Sequence, residues 1–399
     1  MTHMAAGSDT SEALPWAKGA GEVVRLWGLP IGKRVWDERR QGWRTSYLGG
    51  LVYSLRKGEQ CVRWHVLGMR VYSRAWLRRK VLFFSWTTRE WLRRLDAQIP
   101  PEYDVVYLFR HNIGETVVEL MHAQRRVAAG GAKRPLLVVR DASLLDLFAM
   151  YLPEEGPEFR LIPLRQMEIF DAFGEHGPAC GEVVRRVGQR RFICSTPRVG
   201  PGMRERLRVE PGLQFYRYIT RSLGVPEEAP PAVPRLTPEL RALAATRLQE
   251  LRLEPGGFVV LAPECTTMQP LPAEFWQAVA DALQAAGLAV LVNQHGAGRQ
   301  LRGCLHADER LGVLFALAQQ AHSIVSMASG LTIFLAAAGA PMHLLYLPFR
   351  RVENGYDTEH ALRIYSLHHL PGVEPERVHE YPAEQMSPVE LVARVLARD

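Results

Sequence analysis

Apolar runs, amphipathic stretches and small-residue turns follow one another in a fixed order through most of this chain. Between His322 and Leu347, the residues HSIVSMASGLTIFLAAAGAPMHLLYL predict an apolar strand, a turn without bulk (Ser326, Ala328, Ser329, Gly330), a helix over Leu331–Ala338, a Gly-Ala-Pro turn and a second strand. The stretch Gly257–Val292 repeats the plan: GFVVLAP is a buried strand, ECTTMQPLP a polar turn, AEFWQAVADALQAAG an amphipathic helix and LAVLVN a strand. Two such units side by side predict a parallel sheet with ligand-facing turns at the strand C-termini. Far upstream, Val105–Phe109 reads as a strand, Arg110–Gly114 as a short polar turn, and a helix is predicted from near Glu115. Between Pro135 and Gly224 the strands PLLVVRD, FRLIPL and RRFICS alternate with the helices ASLLDLFAMYL and GLQFYRYITRSLG, and Phe170–Gly188 reads as a loop. The expected fold class is α/β, with two facing Rossmann-like domains.

Composition divides the chain further. With 399 residues and 47% apolar content it can bury two cores, and Pro226–Pro238 (PEEAPPAVPRLTP) supplies a stiff, polar joint between them. The expected division is an extension over 1–100, a Rossmann-like domain over 101–225, the linker 226–238 and a second Rossmann-like domain over 239–399. No uninterrupted apolar run reaches the ~18 residues of a membrane span, and the start MTHMAAGSDTSEALP lacks the plan of a signal peptide, so a cytoplasmic location is expected. The five cysteines are scattered without a CxxC, which suits a reducing compartment and leads us to expect no structural metal. His176 and Cys180, in the Phe170–Gly188 loop, do not amount to a ligand set.

Charge is unevenly placed. Of 49 lysines and arginines behind the formal charge of +7, seventeen fall between Arg25 and Arg94, interleaved with Trp27, Trp36, Trp43, Trp64, Trp76 and Trp86. Such a segment fits peripheral contact with an anionic membrane, where indoles sit at headgroup level and arginines meet lipid phosphates. A nucleic-acid face is the less favoured partner, and a solvated appendage whose tryptophans pack inward needs no partner at all. Arg25–Ile31 and His65–Val71 share an apolar, Gly, apolar, x, apolar plan, which paired short strands would explain. From Thr87, TTREWLRRLDAQIPP predicts a capped amphipathic helix ended by two prolines.

The order Pro263-Glu264, Thr266-Thr267, Phe275-Trp276, Ser329-Gly330-Leu331 and Ala336-Ala337-Ala338-Gly339-Ala340-Pro341 resembles the C-terminal half of GT-B glycosyltransferases. It is most similar to the bacterial family-nine enzymes, which include the lipopolysaccharide heptosyltransferases, over roughly residues 257–350. Lead-ins like Leu26–Ile31 are also frequent in capsule and lipopolysaccharide glycosyltransferases. In the family, the second turn reads Asp-(Ser/Thr)-Gly-x-x-His and helps hold the nucleotide-sugar donor. Here the positions Ala328–Leu335 carry neither that Asp nor that His, and the Lys expected after Thr-Thr is absent near Gln269-Pro270. A Gly-Asp pair opens the first helix of the family, its Asp serving as general base; Gly114-Glu115 stands there in this chain.

The resemblance implies transfer of a sugar from a nucleotide-activated donor to a cell-envelope glycan or glycolipid, without a metal or cofactor, with 101–225 as the acceptor domain and 239–399 as the donor domain. That chemistry needs a base for the acceptor hydroxyl, cations or N–H groups on the leaving diphosphate, and a slot for the nucleobase. Glu115 is the candidate base; it equally suits the first turn of a helix, where the dipole favours a carboxylate. Thr266, Thr267, Ser329, Gly330 and Arg350 are the candidate donor-binding residues. The threonines and Ser329 are also ordinary turn and cap residues. Arg110, Asn112, Gly114, Asn293 and His295 complete the outer set. Another nucleotide-sugar enzyme such as an epimerase, and a non-catalytic sugar-nucleotide-binding relative, are the alternative functions.

Overall fold

The structure is a computed structural model. It describes residues 85–109, 112–164, 183–194, 206–207, 209–226, 229–294, 300–349 and 357–397, the backbone of seven strands between 22 and 83, and side chains from residue 90 onward. Arg110, His176, Cys180, His295, Arg350 and the six interleaved tryptophans named above therefore lie outside the residues whose side chains are described. The chain divides into two compact units, Met1–Leu92 and Arg93–Asp399.

The first unit carries a seven-stranded sheet in chain order, every neighbouring pair antiparallel. Glu22–Leu26 pairs with Leu29–Asp37, with Leu26 opposite Leu29. Cys61–Val66 pairs with Met69–Ala75, with Val66 opposite Met69. The two copies of the repeated plan thus each straddle a pair of strands, as their spacing predicts. The helix following the sheet spans Ser85–Asp96.

The second unit holds two parallel-type sheets. The first orders its strands Glu158–Leu161, Pro135–Val139, Val105–Phe109, Arg190–Cys194 and Val183–Val187. All neighbours are parallel except the last pair. Val183–Val187 corrects the loop reading of Phe170–Gly188: its outward residues include Val184 at 42% exposure and two arginines, so this edge strand lacks the apolar run that marks a buried one. Val105–Phe109 lies at the centre with all five residues buried, as expected of a strand covered on both faces.

The second sheet is parallel throughout and orders Leu305–Ala307, Ala289–Asn293, Phe258–Ala262, Ser323–Met327, Met342–Tyr346 and Val378–Pro382. Phe258–Ala262 sits beside Ser323–Met327, so the turns following these two strands open side by side where the crossovers diverge. The helix Leu311–Ala318 between them is buried along its whole length. The described part of Pro226–Pro238 is strapped down. Ala232 N–H donates to the Met121 carbonyl at 2.8 Å, and Arg235 N–H to that of Met150 at 2.8 Å.

The helix carrying Met150 also ties the lobes together. Buried Asp146 takes the Arg310 guanidinium on both oxygens, at 2.6 and 3.3 Å, and accepts the Gly312 N–H at 3.0 Å. A carboxylate of one lobe therefore satisfies an orphan N–H, that of Gly312, at the start of helix Leu311–Ala318 in the other.

Candidate functional site

The first lobe contributes the helix Ile113–Leu120, which starts two residues earlier than expected from Glu115. Asn112 takes the N-cap position but is exposed and makes no side-chain cap, and Gly114 and Glu115 lie in the helical first turn. Glu115 is half-buried, and desolvation pushes its carboxyl up to about 7, opposed only by its own backbone N–H. A carboxyl so placed is poised to accept a proton near neutrality.

The second lobe contributes the helix Gly330–Leu335, continued as a 3-10 turn over Ala336–Ala338. Ser329 stands at its N-cap. The Thr332 hydroxyl accepts from the Ser329 N–H at 3.1 Å and donates to its carbonyl at 2.7 Å, which pins the Ser329 backbone. One strand back, the Ser326 hydroxyl reaches the Ala262 carbonyl at 2.9 Å and so joins the ends of the two central strands.

These two helix starts touch through their glycines. A Cβ on Gly330 would lie 2.7 Å from Gly114 N and 3.2 Å from Gly114 Cα; one on Gly114 would lie 2.9 Å from Gly330 Cα and 3.0 Å from Ile333 Cδ1. Side chains are excluded at both positions, and their absence lets the backbones meet. The contact carries Glu115, one residue along, to the Ser329-Gly330 turn.

The Thr-Thr turn is fastened to the same place by a residue the sequence did not single out. The Cys265 thiol lies 3.2 Å from the Ala328 carbonyl, which accepts from it, and 3.2 Å from the Thr267 hydroxyl, while the Met268 N–H points at its sulfur at 3.5 Å. Thr266 and Thr267 are exposed, and they cap no helix: the next one spans Ala273–Ala285 with Pro272 at its N-cap. Beyond them, Met268 bridges to Phe349, and Gln269 N–H donates to the Pro348 carbonyl at 2.9 Å, so the turn borders the segment leading to Arg350. Asn293 closes the neighbouring strand. It is 5% exposed, and its side-chain oxygen has no hydrogen-bond partner among the described residues.

The Gly114–Gly330 approach thus joins the helix start bearing Glu115 to the Ser329-Gly330 turn, and the Cys265 contacts with Ala328 and Thr267 join that turn to the Thr-Thr turn, with Asn293 at the end of the next strand. A thiol two residues from a threonine carries no sequence signal of this role; only the parallel pairing of Phe258–Ala262 with Ser323–Met327 puts it under Ala328. Among the described residues no three His, Cys, Asp or Glu side chains are placed to hold a metal ion, and no helix is long and apolar enough to cross a membrane.

No protein-family model and no curated protein matches the chain. Solved structures similar to it include Escherichia coli ADP-heptose lipopolysaccharide heptosyltransferase II, at 13% identity over 74% of this chain and 98% of that one, with a TM-score of 0.47. A family 9 glycosyl transferase from Veillonella parvula matches at 13% identity over 70% and 85% of the two chains, with a TM-score of 0.43. An E. coli heptosyltransferase with ADP matches at 13% identity over 73% and 96%, with a TM-score of 0.40.

Proposed function

We propose that this chain is a glycosyltransferase that moves a sugar from a nucleotide-activated donor to a hydroxyl of a cell-envelope glycan or glycolipid. The observation that carries the reading is the Gly114–Gly330 contact, which brings the first turn of the helix bearing Glu115, whose carboxyl burial raises to about 7, against the Ser329-Gly330 turn. In the proposed step Glu115 takes the acceptor hydroxyl proton, the acceptor oxygen bonds to the anomeric carbon, and the bond from that carbon to the diphosphate breaks, its electrons leaving with the nucleotide. Thr266, Thr267, Ser329 and the Gly330 N–H face the diphosphate, with Arg350 and Arg110 adding positive charge. Asn293 and His295 contact the nucleoside, and the orphaned Asn293 oxygen supports this. The basic segment 25–94 brings the protein to an anionic membrane, where such acceptors reside.

A thermal-shift panel of UDP-, GDP-, ADP-, CMP- and dTDP-sugars tests the reading, because a ligand bound only by the native state raises the melting temperature. One nucleotide class should shift the melt, and the matching sugar should then be transferred. A panel without any shift at millimolar concentrations would end the proposal.

A further inference from the structure

An arginine occupies the position immediately beyond an interior strand of the first lobe's sheet. Pro135–Val139 lies between Val105–Phe109 and Glu158–Leu161, and Val139 is level with Phe109. Arg140 therefore emerges at the carboxyl end of parallel strands, where α/β sheets bind ligands. It stands one strand, about 4.8 Å, from the point where the chain leaves Phe109 towards Glu115. The helix that follows, Leu145–Tyr151, carries Asp146 to Arg310 and Gly312 of the other lobe, so the turn bearing Arg140 borders the crevice between the lobes.

Arg140 is half-buried and its Nε is sealed from solvent. Neither that N–H nor the rest of the side chain has a hydrogen bond or ion pair among the described residues. The nearest carboxylates in sequence are engaged elsewhere. Asp141 accepts the Ser143 N–H at 3.0 Å and its hydroxyl at 2.9 Å, while Asp146 holds Arg310. Glu115 forms no pair with it either, and no described cation lowers that carboxyl. A buried guanidinium N–H without an acceptor is costly, and folded chains almost always pair such groups. The missing acceptor is therefore one that the chain does not itself supply. The guanidinium fork matches the paired oxygens of a phosphate or carboxylate. In the proposed reaction the donor diphosphate lies against the turns of the other lobe, whereas Arg140 shares a lobe with the base.

We infer that Arg140 selects the acceptor, by binding an anionic substituent, a phosphate or carboxylate, on the sugar whose hydroxyl Glu115 deprotonates. This rests on the glycosyltransferase reading above and adds to it the charge of the acceptor. An acceptor anchored at Arg140 is restrained at one end while its hydroxyl reaches the base, and a sugar bearing hydroxyls alone leaves the guanidinium uncompensated.

The test is calorimetric titration of the full chain with glucose 6-phosphate, glucuronate and glucose. The nucleoside diphosphate found in the thermal-shift panel is kept at saturation, so that the donor side is filled. At least one anionic probe should bind about 10- to 100-fold more tightly than glucose. Arg140→Gln should erase that preference, and Arg140→Lys, which keeps the charge without the fork, should retain part of it. Melting should not fall in either variant, since the guanidinium has no partner in the described chain to lose. If the glutamine variant does not fold, the wild-type preference and the lysine variant decide. Anionic probes that bind wild type no better than glucose, or a preference that survives Arg140→Gln, would overturn the assignment. Weaker nucleoside diphosphate binding in Arg140→Gln would move the residue to the donor side and overturn it too, as would melting lowered by several degrees in both variants, the mark of a structural role. Nucleotide binding without any preference among the sugars ends this assignment alone; a chain that binds no nucleotide ends the glycosyltransferase reading and this one with it.

Discussion

Placing alanine at Gly330 tests whether two glycines hold the lobes in register. Its Cβ would meet the Gly114 nitrogen at 2.7 Å, and Gly114 Cα at 3.2 Å, both backbone atoms that no rotamer change can move. Ordinary contact begins near 3.4 Å, so the lobes must part by several tenths of an ångström. Overpacking of this kind costs about 1–3 kcal/mol. Alanine in a helix returns up to ~1 kcal/mol relative to glycine, which leaves a net loss of about 0–2 kcal/mol. At ~2–4 °C per kcal/mol, melting should fall by only a few degrees. Transfer is the more sensitive readout, because a displacement approaching 1 Å between base and donor costs up to ~100-fold in rate. Gly330→Ala should therefore lower kcat about 10- to 100-fold with donor affinity little changed. Gly114→Ala should do the same from the opposite side. The double variant should cost less than the sum, since lobes parted by one methyl accommodate the other. Wild-type turnover in both single variants, or strict additivity in the double, would refute the contact.

Three further outcomes follow from neighbouring residues. Glu115 is raised to about 7 by burial, so the folded state binds more protons than the unfolded one between its ordinary carboxylate range and pH 7; stability should decline as pH rises through that window, transfer should rise with pH towards about 7, and Glu115→Gln should remove both dependences while stabilising the protein by roughly 1–3 kcal/mol above pH 7. Cys265→Ala loses the thiol contacts with Ala328 and Thr267 and should weaken donor binding about 3- to 10-fold by calorimetry, with Cys265→Ser recovering part of it. Asp146→Ala strips the Gly312 N–H of its acceptor and leaves Arg310 with Glu239 alone, and should lower stability by about 1–3 kcal/mol, seen as an earlier midpoint in urea.

The parallel sheets were legible because buried strands announce themselves: FVVLA, AVLVN, SIVSM and MHLLY are short apolar runs between turn residues, each almost wholly buried. Helix Leu311–Ala318 was not, since LGVLFALA is apolar all round and has no 3.6-residue period to distinguish it from a strand. Val183–Val187 failed for the opposite reason, being an edge strand rich in arginine. At the site, residue types and turn positions could be read from the chain. The Gly114–Gly330 approach and the Cys265 link could not, because each joins segments more than sixty residues apart.

The central claim, that Glu115 is the base of a sugar transfer at this junction, is tested most directly by single-turnover transfer in Glu115→Gln, using the donor found in the thermal-shift panel. Glutamine keeps size and hydrogen-bonding capacity but accepts no proton. Donor affinity should stay within about twofold of wild type while the transfer rate falls ~100- to 10,000-fold. A folded variant that binds donor and transfers sugar at the wild-type rate would contradict the account.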